Sequence, residues 1–193
     1  MGLQVQKDVL FLNVSCGHLV NKKREVSSPG YEGRLVGIRR KVERYEGKDN
    51  EKVEFRMVDG NELAIIGFTA DSYFTVGFLD KIRKVDLSRP FVFGVYGSKT
   101  NEKVSYCSLT QDGNQILLDK ESEIPQPVAV MVGKNKVMDY TEVFAVLDAE
   151  VARITAELDE LPDIDQLRTG TVSPKLVEAA ETSEPVESDE IPF

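Results

Sequence analysis

The residues with the clearest capacity for chemistry are cations and tyrosines on neighbouring apolar segments. Arg34, Arg39, Arg40, Lys41 and Arg44 lie along one predicted strand, and Tyr45 ends it. Lys52 and Arg56 share one face of the next strand, while Tyr96 and Tyr106 lie on two later strands joined by a loop bearing Lys99 and Lys103. Cations neutralise phosphates and tyrosine rings stack on bases. Together they supply what sequence-tolerant binding of a single polynucleotide strand requires. Each side chain also has a plainer reading, since a Tyr at a strand end often packs with its hydroxyl wet, and Lys and Arg keep a β-surface soluble. Phe55, Phe91 and Phe93 alternate with polar or small residues and are expected in the core.

Catalytic chemistry has little support. The sequence offers no Gly-rich phosphate loop, no Ser or Cys beside a usable base, and no carboxylate pair in a recognisable setting. His18 is the single histidine and Cys16 and Cys107 are the two cysteines, too few soft ligands for a metal site. Both cysteines sit in apolar, strand-like stretches and are expected as buried free thiols, with His18 as a satisfied core histidine. The chain is therefore read as a binding protein, not an enzyme, with no cofactor and no metal.

The elements that position these groups are mostly strands. "VLFLNVSCGHLV" reads as one strand, and "GRLVGIRRKVERYEG" as a second whose apolar phase wavers around Leu35 and Gly37, where a bulge is expected. "KVEFRMV" alternates cleanly, and Asp59-Gly60 marks a hairpin turn into "ELAIIGF". Phe74, Phe78 and Ile82, with Val76 and Leu79, have helical spacing, with Asp71 or Ser72 as the cap. "FVFGVYG" and "KVSYCSL" return to strand, and "QILLD" follows the "QDGN" turn. The resulting fold class is mainly β with a C-terminal helix. Strands, then a helix, then strands match the element order of a five-stranded OB-like Greek-key barrel with a helix between its third and fourth strands.

After the link "KESEIPQP" and the stretch "VAVMVGKNKV", a helix is expected over 139–161. Tyr140, Phe144, Leu147, Val151, Ile154, Leu158 and Leu161 alternate by four and three, the spacing of a coiled-coil seam. It either packs on the barrel or self-associates as a homo-oligomer. The expected organisation is thus 1–122 as the OB-like nucleic-acid-binding domain, 123–162 as strand and heptad helix, and 163–193 as a disordered acidic tail.

Charge supports that division. The whole chain of 193 residues has a formal charge of −9, and residues 157–193 hold 11 acids against 2 bases, so the remainder is neutral. Within that neutral body, residues 21–56 hold 11 bases against 7 acids, and 81–103 hold 6 against 2. The start lacks a secretory signal's charged-then-apolar order, and no apolar run approaches a membrane span, so a cytoplasmic location is expected.

The tail ends Ser188-Asp189-Glu190-Ile191-Pro192-Phe193. Phe193 offers a ring and a terminal carboxylate together, Pro192 lowers the cost of ordering, and Asp189 and Glu190 steer the hook toward basic partners. This ending resembles the acidic tip of the bacterial and phage single-stranded DNA-binding proteins, Asp-Asp-Asp-Ile-Pro-Phe. It keeps the last three residues and the two acids before them, and departs at Ser188. In that family an OB-fold coats single-stranded DNA and the tip recruits replication, recombination and repair proteins. The resemblance therefore implies partner binding by Asp189, Glu190, Ile191, Pro192 and Phe193. Two departures stand beside it: this chain has no Trp for base stacking, and its linker is short and preceded by a helix. The competing expectations are an adaptor whose barrel binds protein and whose helix assembles it, and an RNA-binding OB-fold protein.

Overall fold

The structure, a computed structural model, describes residues 8–21, 26–45, 47–101, 103–119 and 121–169. Its centre is one long antiparallel meander. β4 (Gly30–Tyr45), β5 (Lys48–Asp59) and β6 (Glu62–Thr69) pair in sequence, turning at Gly60 with φ +51°. The alternation of β5 dictates its placement. Val53, Phe55 and Met57 are fully buried, while Lys52 and Arg56 emerge on the other side. The register of β4 on β5 slips between Leu35 and Gly37, the bulge expected from the wavering apolar phase.

Around this meander the sheet, among the described residues, grows to nine strands in the order β3-β2-β1-β6-β5-β4-β7-β8-β9. The added strands are β1 (Asp8–Ser15), β2 (His18–Asn21), β3 (Val26–Ser28), β7 (Phe91–Gly97), β8 (Ser105–Gln111) and β9 (Asn114–Ile116). β1 lies parallel to β6, and every other neighbouring pair is antiparallel. The expected first strand is in fact two, because Cys16 and Gly17 turn the chain at φ +48° and +80°. That turn presses on the end of β7. A Cβ on Gly17 would overlap the Gly97 backbone, and the Gly17 N–H donates to Ser105 Oγ at 2.9 Å. The sheet thus curls until β2 approaches β7, but among the described residues no ladder joins them. The expected closed five-stranded barrel is not found there either: the sheet has nine strands and open ends at β3 and β9.

The helix α1 (Tyr73–Ile82) follows β6 and plugs the curl, capped by the Ser72 side chain, which accepts from the Thr75 N–H. Among the described residues six strands precede it, where three were expected. Phe78 of α1 meets Phe55 edge-on at 5.5 Å between centroids, and Phe68, Phe74, Phe91 and Phe93 surround that pair. Leu12, Leu35, Ile66, Leu79 and Leu109 fill the same core.

β10 (Val128–Val132) and β11 (Asn135–Asp139) form a separate two-stranded hairpin, where one strand was expected. α2 (Thr141–Asp159) then lies along β4, with Val143, Leu147, Ile154 and Leu158 fully buried and Phe144, Val151 and Leu161 half-buried against the core. Its seam is spent within the chain. Residues 163–169 were expected in an unpacked tail; instead Asp163 pairs with Arg34, and α3 (Ile164–Thr169) buries Ile164. No helix among the described residues is long and apolar enough to cross a membrane.

Candidate nucleic-acid interface

Strand parity sorts the predicted cations. Register places Arg39 opposite Glu54 and Lys41 opposite Lys52, with Glu43, Arg56, Gly67 and Asn13 extending the same outer face across β4, β5, β6 and β1. There Arg39, Lys41, Lys52 and Arg56 converge on Glu54 and Glu43. Arg39 reaches Glu54 at 2.9 Å and Arg56 reaches it at 3.5 Å, while Lys41 bridges Glu54 and Glu43 at 2.6 Å each and Lys52 holds Glu43 at 2.6 Å. Four cations share two carboxylates, so the cluster keeps a formal charge of +2 among the described residues.

The carboxylates organise these cations more than they cancel them. Glu54 is only 5% exposed. Burial pushes its carboxyl up, but hydrogen bonds from Lys41 and Arg39 outweigh that, and the net shift is downward. Glu43, hydrogen-bonded by Lys41 and Lys52, is lowered to about 2. Both therefore stay ionised at neutral pH, holding the ammonium and guanidinium groups near one another with outward faces in water. Arg39 and Arg56 are the most exposed of the set.

Beside the cluster stands Phe11 of β1, 59% exposed, directly opposite Ile65 in register. It lines a shallow hollow of about 310 Å³ with Arg39, Lys41, Lys52 and Arg56, floored near Gly67. A second hollow continues past Asn13, Lys52 and Thr69, and a third runs from Thr69 to Tyr73, Lys103 and Ser105. The first two share Asn13, Lys52 and Gly67 and form one trough, whereas the third meets the second at Val14, Phe68 and Thr69 and is lined by the core residues Phe68 and Phe74. Phe11 was not among the predicted residues. Its signal was present in the alternation: Asn13, a polar residue in an apolar strand, marks the outward parity on which Phe11 also falls.

The second predicted patch holds together. Tyr96 and Tyr106 are cross-strand partners on β7 and β8, both exposed, with rings stacked at 5.4 Å and 28°. Lys99 and Lys103 are exposed on the connecting loop, and neither forms an ion pair with a described residue.

The structure does not bring every predicted residue to the trough. Arg34 forms a two-pronged pair with Asp163, which its guanidinium holds below the usual carboxylate range. Arg40 is bound by Glu51 at 3.0 Å and Asp148 at 2.7 Å, with its guanidinium 4.2 Å over the Phe144 ring. Both arginines fasten the C-terminal helices. Arg44 is exposed at the far end of β4, where Tyr45 stands opposite Lys48 in register. Asp189, Glu190, Ile191, Pro192 and Phe193 lie outside the described residues.

Two core assignments are corrected. Cys16 and His18 are exposed, because the turn at Cys16-Gly17 and the start of β2 carry them out of the strand interior. Cys107 is buried, and burial pushes its thiol up to about 12. No group of His, Cys, Asp and Glu among the described residues has a metal-holding arrangement. Comparison of the chain with family models, with curated proteins and with solved structures finds no match.

Proposed function

We propose that this chain binds single-stranded DNA along the trough on the outer face of β1, β6, β5 and β4, with little sequence preference. The observation that carries the reading is Phe11, a large exposed ring standing against four cations that share only two carboxylates among the described residues. A stacked base on Phe11 and phosphates on Arg39, Lys41, Lys52 and Arg56 use the two contacts that single strands offer regardless of sequence. The Tyr96–Tyr106 pair on β7 and β8, with Lys99 and Lys103 on the loop between them, offers a second patch for stacking and phosphate contact.

The OB-like reading rests on β4, β5 and β6 as consecutive antiparallel strands, α1 after the third, and β7 antiparallel to β4. In that scheme β5 and β6 stand where OB-folds carry oligonucleotides. Recruitment of replication, recombination or repair proteins by Asp189–Phe193 rests on the resemblance of the ending alone. The protein acts by binding, protecting a strand and presenting it to others.

Fluorescent oligo-dT titrated against duplex of equal length, at two salt concentrations, tests the reading. Strand-selective binding that weakens with salt is expected. Equal affinity for both forms, or none, contradicts it, and competition with a matched RNA oligonucleotide assigns the sugar.

A further inference from the structure

The β10–β11 hairpin is the least satisfied part of the fold. Among the described residues its strands pair only with each other, and a two-stranded sheet alone is marginal in water. Packed residues flank it at both ends, the buried Pro127 before β10 and α2 after β11. Val128 is 59% exposed, Met131 66%, Val132 62% and Val137 46%, an apolar set distributed over both faces of the ribbon. The seam of α2, the other element with self-association spacing, is already buried against β4.

We infer that this hairpin joins two copies of the chain by antiparallel pairing of β10 with β10 about a two-fold axis. The free edge of β10 reads Val128-Ala129-Val130-Met131-Val132, with no charge and no proline to block edge pairing. The segment is self-complementary about Val130. Val128 meets Val132 of the second copy, the small Ala129 meets the large Met131, and Val130 meets itself. A two-fold interface demands that kind of match, one surface complementary to its own copy. The edge of β11 is unsuited, since Lys136 and Asp139 interrupt it with charge. Pairing through β10 leaves Lys134 and Lys136 at the turn and outer strand, away from the seam. The product is a four-stranded sheet that gives each hairpin the neighbour it lacks.

Sedimentation of the full chain over roughly 1–100 µM tests this, the range in which a short strand interface dissociates. Reversible monomer–dimer exchange is expected, and Val130→Lys weakens it by ~100-fold through an ammonium set in an apolar seam. A chain that stays monomeric throughout overturns the inference, as does a Val130→Lys variant that associates like wild type. Should that variant misfold, Val130→Cys in a Cys16→Ser background decides: mild oxidation links two chains if the seam exists, and failure to link them overturns it.

Discussion

Arginines of one strand do two different jobs in this molecule. Arg34 and Arg40 are each met by a carboxylate from outside the sheet, Asp163 and Asp148 of the C-terminal segment, with Glu51 of β5 also on Arg40, and are drawn into packing. Arg39, with Lys41 beside it, is met by Glu54 and Glu43 of the sheet itself and stays on the open face. The first group is consumed by structure. The second is held in place with charge to spare, because among the described residues its four cations share only Glu54 and Glu43. Cation number along a strand therefore says little about a binding face until the sources of the opposing carboxylates are known.

Phe11→Ala gives the sharpest separation between the two groups. Loss of a stacking ring lowers oligo-dT affinity by about 1–3 kcal/mol, a fall of roughly 5- to 150-fold. Its exposure keeps the change in folding stability within about 0.5 kcal/mol in urea titrations. A stability loss that exceeds the affinity loss would place Phe11 among the packing residues instead.

Arg34→Ala has the opposite profile. Stability falls by about 1 kcal/mol, since a two-pronged ion pair between a largely buried Arg34 and a half-exposed Asp163 is removed, while oligo-dT affinity of the folded protein is unchanged. The effect is also pH-dependent. Asp163 has a lowered folded value, so the pair's contribution is complete above the ordinary carboxylate range and fades as pH falls through that lower value. Wild type and variant should therefore converge in acid. A gap that stays constant down to acid pH argues against the pair.

Glu43→Gln is the smallest of the three. Removing the carboxylate frees the Lys41 and Lys52 ammonium groups for phosphate, and oligo-dT affinity rises about 2- to 5-fold at low salt. An unchanged or weaker affinity would show that Glu43 does not compete with the strand.

Much of this architecture is legible in the order of residues alone. The alternation of β5, the bulge between Leu35 and Gly37, the cap at Ser72 and the apolar spacing of α2 are local patterns, and local patterns survive folding. What stays hidden is long-range. Nothing near Arg34 or Arg40 announces that Asp163 and Asp148, more than a hundred residues on, will claim them. The turn at Cys16-Gly17 is concealed by apolar neighbours that read as continuous strand, which also misplaces His18. Phe11 escapes notice because Asn13 is a faint polar mark on its side of a largely apolar stretch, and the parallel seat of β1 beside β6 is a long-range pairing.

The most direct measurement is the salt dependence of oligo-dT binding for a Lys52→Ala, Arg56→Ala double variant beside Arg40→Ala. Removing one phosphate neutralisation on a single strand reduces the slope of log affinity against log salt by about 0.7. The double variant should show that reduction twice over, with Arg40→Ala retaining the wild-type slope. An unaltered slope in the double variant, or an equal fall in Arg40→Ala, would contradict the assignment of the strand to the outer face.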